Sequence, residues 1–202
     1  RGRVIPSTLE NIQLQAEMSD GTIVSGESKI PEARKRIRKM LMKPADAPAS
    51  KGAIEAILKS DVLIFGPGSL YTSVIPNLLV EEIREAILQS DAVKIYVCNV
   101  MTQPGETDGY GAFEHVRALV DHMGKQFLDY VIVNDQKITT EQLKQYYAEG
   151  SMPVTPDVEK IRKLGITVVP ASLISKDDLV RHDPRKLARA LIMLIYRLRL
   201  FG

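Results

Sequence analysis

Between residues 51 and 171 the chain alternates short apolar runs with longer amphipathic ones, and this alternation constrains the fold more than any other feature. The runs VLIF (62–65), AVKIYVCN (92–99), DYVIVN (129–134) and ITVVPA (166–171) have the length and β-branched content of buried strands. The segments around them carry helical periodicity: residues 51–59, PNLLVEEIREAILQ (76–89), FEHVRALVDHM (113–123), TEQLKQYYAEG (140–150) and PDVEKIRKLG (156–165), the last closed by Gly165. In the segment 76–89, Leu78, Leu79, Ile83, Ala86 and Ile87 fall on one stripe. Strands separated by helices of this length predict parallel βαβ units, hence an α/β domain with a mostly parallel sheet. A long final helix over 184–200 starts with Asp183 as N-cap and Pro184 at its first position.

The first 30 residues depart from that pattern. IQLQAEM and TIVSGES alternate apolar and polar positions around an SDG turn, which predicts a β-hairpin extension at the sheet edge or as a small lobe. Residues 32–43, EARKRIRKMLMK, fit a helix face through Ile37, Met40 and Leu41, and fit a short strand before Pro44 equally well. A length of 202 residues suits one α/β domain over 1–202. The chain opens at Arg1 rather than Met, so it reads as the C-terminal portion of a longer protein.

Net charge is +2, too small to argue for nucleic acid. Trp is absent, and aromatic residues do not interleave with the cations. The run Arg34, Lys35, Arg36, Arg38 and Lys39 reads as a solvated face. The single cysteine, Cys98, lies in the apolar run KIYVCNV as a buried thiol. A lone cysteine and the lack of a signal peptide point to a cytoplasmic setting. No apolar run reaches the roughly 20 residues that cross a membrane.

Two loops concentrate the chemistry. FGPGSLYTS (65–73) follows the first core strand, and in a parallel sheet ligands bind outside the carboxyl ends of the strands. Gly66 and Gly68 let a ligand approach the backbone. Ser69, Tyr71, Thr72 and Ser73 supply hydroxyls and N–H groups close to a helix start, a combination suited to phosphate. The other reading is a tight turn that uses Gly and Pro for geometry alone. The stretch is neither a Walker A loop nor GxGxxG, and Pro76 and Asn77 are expected to cap the next helix.

The second loop, NVMTQPGETDGYGAFEH (99–115), follows the next strand. Capping by Thr107 or Asp108 explains one or two of its polar residues; Asn99, Thr102, Gln103, Glu106 and Asp108 together suit a ribose, base or sugar. Glu106 and Asp108 could also hold Mg²⁺ beside a phosphate. His115 and His122, seven apart on one helix face, read as solvated or core-edge histidines. Asp177, Asp178 and Asp183 around Arg181 and His182 read as turns and caps, with a metal or substrate role as the alternative. No nucleophile–base pair or zinc spacing is visible. The final helix carries Ile192, Met193, Ile195, Leu198, Leu200 and Phe201 on more than one face, which suits burial or a homodimer contact.

GPGSLYTSVIPNLL and CNVMTQPGETDGY, with RGRVIPSTL, DGTIVSGES and VVPASLISKDDLVRHDPRKLARAL, resemble the YvcK-type gluconeogenesis factors of the CofD-like (2-phospho-L-lactate transferase) superfamily. The resemblance covers nearly the whole chain. It implies a Rossmann-like three-layer α/β/α fold, with a further glycine-rich nucleotide loop in a preceding segment. It implies a cytoplasmic UDP-sugar-binding regulator of cell shape, cell-wall synthesis and gluconeogenic growth, acting through protein partners. Gly66, Gly68, Ser69, Tyr71, Thr72 and Ser73 would then form part of a nucleotide pocket, and Asn99, Thr102, Gln103, Glu106 and Asp108 its neighbouring wall. The CofD branch instead implies Mg²⁺-dependent transfer of a phospholactate-type group from a nucleotide diphosphate donor to a deazaflavin alcohol.

Overall fold

The computed structural model describes residues 2–175 and 180–201. Four parallel strands form the central sheet: β4 (Val62–Phe65), β5 (Val93–Val97), β6 (Tyr130–Asn134) and β7 (Thr167–Ala171), in the order β4-β5-β6-β7. Such a monotonic order with right-handed crossovers puts the connecting helices on one face. The side chains agree. Leu63, Phe65, Tyr96, Val131, Val133 and Val168 pack with α3 (Ile75–Leu79), α4 (Glu81–Gln89), α5 (Ala112–Met123) and α7 (Val158–Arg162). The alternate residues, among them Ile95, Val97 and Ile132, pack against the final helix α8 (Pro184–Phe201) on the other face. Helices therefore flank the sheet on both sides, in three layers. α2 (Lys51–Lys59) lies against α4, and α6 (Thr140–Ala148) packs through Leu143 in a small cluster with Val100, Met101 and Ile174. Among the described residues no helix is long and apolar enough to cross a membrane.

The N-terminal hairpin forms as β1 (Gln13–Met18) and β2 (Ile23–Ser25), but it belongs to a larger unit. The ambiguous segment is a strand, β3 (Ile37–Lys43), paired antiparallel to β1 in a sheet of order β2-β1-β3; the short α1 (Lys29–Glu32) links β2 to β3. Ala16, Met18, Met40 and Met42 are buried in the same core as α3 and α5, so this sheet is neither an edge extension nor a separate lobe. The Met40 N–H donates to His122 Nε2 on α5 at 3.0 Å, which ties the sheet to the helical layer.

The expected single helix over 76–89 is broken. Residues Leu70–Val74 wind as a π-helical turn, α3 ends at Leu79, and Val80 is extended (φ −74°, ψ 114°) before α4 begins. Val80 is buried at 1 % exposure, and its carbonyl accepts the Arg84 N–H. The break re-aims the chain so that Leu78 and Ile83 both reach the core, while Glu81 and Glu82 complement the new helix N-terminus. Asn77 is not a cap either: it sits inside α3 and donates from Nδ2 to the Ser73 carbonyl at 2.8 Å. Asp183 does cap α8, accepting the Arg185 and Lys186 N–H groups. Asp177 and Asp178 lie outside the described residues, as do the side chains of Leu200 and Phe201.

Candidate functional site

Both glycine-bearing loops leave the carboxyl ends of adjacent strands, β4 and β5, and the structure brings them into direct contact. Gly66 adopts φ +80°, and a Cβ there would meet the Val97 carbonyl at 3.1 Å, so the turn out of β4 requires glycine. The Ser69 carbonyl then accepts the N–H groups of Ser73 and Val74, both at 3.0 Å, as the π turn opens. Such turns are rare and recur at functional sites.

The polar residues of the second loop clasp this turn. Gln103 Nε2 donates to Ser69 Oγ at 2.8 Å, and Asn99 Nδ2 donates to Gln103 Oε1 at 3.3 Å. The Glu106 carboxylate accepts the Tyr71 N–H at 3.3 Å and the Thr72 hydroxyl at 3.0 Å. The Tyr71 and Tyr110 hydroxyls bond at 2.8 Å. Tyr71 and Glu106 are almost fully buried, at 3 % and 6 % exposure. Burial pushes the Glu106 carboxyl above its ordinary pKa, against the pull of the Thr72 and Tyr71 bonds, and pushes the Tyr71 phenol up as well.

Several predicted residues hold the second loop in shape. The buried Thr102 accepts the Met152 N–H at 2.9 Å, and its own N–H donates to the Met152 carbonyl, anchoring the loop to 151–154. Asp108 accepts the Gly105 N–H at 2.6 Å, and Thr107 the Gln103 N–H at 2.8 Å. Neither caps α5, as expected of one of them; its N-cap is Gly111, whose N–H donates to the Glu114 carboxylate at 2.8 Å. Among the described residues, no group of three or more His, Cys, Asp or Glu is arranged to hold a metal ion.

Three of the remaining predicted residues line a cavity, and Asn99 lies buried at a strand end. Gly66, Gly68 and Ser73 line a cavity of about 530 Å³ with Asn77, Ser7 and Arg3, and its walls are the apolar edge of β4 and the helices α2 and α4. Asn99 Oδ1, at the end of β5, is buried without a hydrogen-bond partner. A second, polar cavity of about 430 Å³ lies beside Glu106, Asp108 and Tyr110. Its opposite wall is Arg34, Lys35 and Arg36, read from sequence as a solvated face; only the fold, which sets that run across from the second loop, reveals them.

His115 is more buried than predicted, while His122 is half-buried at the core edge. His115 has 0 % exposure and donates from Nδ1 to the Gly111 carbonyl, leaving Nε2 without a partner. His122 donates from Nδ1 to the Ala118 carbonyl and accepts at Nε2. Burial lowers the pKa of both rings, so both are neutral. Cys98 is buried as expected, and burial pushes its thiol up to about 12.

The fold is a known architecture. A UPF0052-family protein from Bacillus halodurans superposes at TM-score 0.91 with 45% identity, over 95% of this chain and 62% of that one. The family profile of the 2-phospho-L-lactate transferase CofD matches residues 1–174, and the chain belongs to that family. Among its relatives are the gluconeogenesis factors of Halalkalibacterium halodurans, 46% identical over 95% of this chain and 60% of that protein, and of Bacillus subtilis, 43% identical over 96% and 62%. The chain thus spans about three fifths of the length of these curated relatives.

Proposed function

We propose that this chain supplies one wall of a nucleotide-sugar site in a cytoplasmic regulatory protein, a UDP-sugar sensor whose occupancy alters contacts with protein partners that govern cell shape, cell-wall synthesis and gluconeogenic growth. One observation carries the reading: the Gly66–Ser73 turn stands at the carboxyl end of β4, buttressed by Gln103 and Glu106, with the unpartnered Asn99 Oδ1 beside it at the end of β5. Glycine backbone at Gly66 and Gly68 and the Ser73 hydroxyl suit a diphosphate, and Asn99 Oδ1 suits a ribose or sugar hydroxyl. In this reading Ser69, Tyr71 and Thr72 shape the pocket, and Thr102, Gln103, Glu106 and Asp108 hold its wall.

The test is calorimetric titration of the full-length protein with UDP-N-acetylglucosamine. Saturable binding that weakens about tenfold or more in Asn99→Ala is expected, as for loss of a hydrogen bond in a desolvated site. Absence of heat in the parent protein, or unchanged affinity in the variant, refutes the proposal.

The family match favours one second reading, transfer of a phospholactate-type group from a nucleotide diphosphate to a deazaflavin acceptor. Mg²⁺ would then use Glu106 and Asp108, whose carboxylates are engaged with Tyr71, Thr72 and Gly105. An assay with GDP-activated donor, deazaflavin alcohol and Mg²⁺ decides it: turnover supports the transferase, and none refutes it.

A further inference from the structure

The second cavity has features that the nucleotide-sugar reading does not use. Arg34, Lys35 and Arg36 follow α1 and form one wall; Glu106, Asp108, Tyr110 and Glu114 stand on the other. The two walls are held in register by close packing. Gly105 (φ +83°) lies so near α1 that a Cβ would overlap the Pro31 carbonyl, and the neighbouring Ile30 is fully buried.

The charges on the two walls are unequally committed. Lys35 pairs with Asp20 at 2.7 Å. Among the described residues neither Arg34 nor Arg36 forms an ion pair, although three carboxylates line the same cavity. Those carboxylates accept backbone N–H groups: Asp108 from Gly105, Glu114 from Gly111 and Glu106 from Tyr71. Each retains lone pairs for further donors. The Tyr110 hydroxyl in the cavity wall is bonded to the Tyr71 hydroxyl at 2.8 Å.

Two guanidinium groups on one side and carboxylate and phenol oxygens on the other select a ligand of mixed character. A guanidinium fork matches a phosphate, and a carboxylate accepts from sugar hydroxyls while repelling a second anion. A polyphosphate would set charge against Asp108 and Glu114, and a neutral sugar would leave both arginines unengaged. A volume of about 430 Å³ lies within the small-ligand range. We infer that this cavity is a sugar-phosphate site, with the phosphate on Arg34 and Arg36 and the hydroxyls on Asp108, Glu114 and Tyr110. It shares no lining residue with the cavity beside Gly66, although Glu106 and Asp108, which line it, also buttress the nucleotide-sugar wall from behind.

Titration of the full-length protein with glucose 6-phosphate as probe tests the inference. Saturable binding is expected, weakened about tenfold or more when Arg34→Gln and Arg36→Gln are combined, as for loss of charge-assisted bonds to phosphate. Both side chains are exposed, so the variant keeps its fold. Arg38→Gln is the control: Arg38 pairs with Glu17 outside the cavity, and its replacement leaves binding unchanged. Arg34 and Arg36 line no part of the cavity beside Gly66, so the double variant leaves UDP-N-acetylglucosamine titration unchanged, and a failed UDP-sugar experiment does not decide this one. No saturable binding, insensitivity to the double variant, or equally tight binding of inorganic phosphate or of glucose overturns the inference.

Discussion

Glu106 is the residue on which the two-loop clasp depends, and replacing it measures the clasp directly. Its carboxylate accepts the buried Tyr71 N–H and the Thr72 hydroxyl. In Glu106→Ala the Tyr71 N–H loses its acceptor at a site with 3 % exposure, which costs about 1–3 kcal/mol, and the lost packing adds about 1 kcal/mol. The expected loss is therefore about 2–4 kcal/mol in equilibrium urea denaturation, or roughly 4–16 °C in Tm for a chain of this size. Glu106→Gln keeps the shape: Oε1 accepts from Tyr71 and Nε2 donates to Thr72 Oγ1, so the loss stays within about 1 kcal/mol. The pH dependence gives a second readout. Burial raises the folded-state pKa of Glu106, so the protonated form favours folding; that contribution is complete below the unfolded pKa near 4.3 and falls away as pH rises through the folded value. Glu106→Gln, which cannot ionise, gains on the parent as pH rises from about 4 to 7. If Ala costs under about 1 kcal/mol, or Gln costs as much as Ala, the clasp does not hold the turn by shape and hydrogen bonding.

Three further outcomes are expected. Gly105→Ala, which combines φ +83° with overlap of the Pro31 carbonyl, loses at least about 2 kcal/mol in the same denaturation experiment, and wild-type stability would show that the contact is not tight. His115 and His122 fold with lowered pKa values, so the unfolded chain binds more protons just below pH 6.5; their contribution is full above that value and falls on acidification by up to about 1.4 kcal/mol per pH unit for each ring, and a flat profile between pH 5 and 7 in the Glu106→Gln background, where the opposing Glu106 slope is gone, refutes the neutral assignment. Cys98, buried with its thiol pushed up to about 12, resists a disulfide reagent in the folded protein and reacts once urea unfolds it; fast native-state labelling contradicts the burial.

The parallel sheet was legible because its strands are short β-branched runs with no competing period: VLIF is β4 to the residue, and DYVIVN is β6 with one residue to spare. Residues 32–43 were not, because Ile37, Met40 and Leu41 satisfy a helical face as well as a strand. Pairing of Ile37–Lys43 with β1, an interaction distant in sequence, makes the choice. Val80 was hidden for the opposite reason, since a buried valine inside an apolar stripe looks like helix continuation; Glu81 and Glu82 directly after it mark the restart. Both loops were found by composition and by their place after strands. Their interlock was not, because Ser69 with Gln103 and Thr72 with Glu106 are partners 34 residues apart and leave no local pattern.

That interlock changes what the polar residues of the second loop mean. Read as a row, Asn99, Thr102, Gln103, Glu106 and Asp108 look like one ligand-facing surface. In the fold, Thr102 faces the 151–154 segment, Gln103 and Glu106 face the first loop, and Asp108 faces its own backbone. A clasp of this kind removes conformational freedom from the glycine-bearing turn, and a pre-ordered loop binds any ligand with less entropic cost. The division also sorts the consequences of mutation. Changes at Glu106 or Thr102 act through stability and loop order, whereas a change at Asn99 removes one long bond to Gln103 and an Oδ1 with no partner to lose, so under the proposed reading its larger effect falls on ligand affinity. Stability and binding measured on the same set of variants therefore separate the residues that build the site from those that use it.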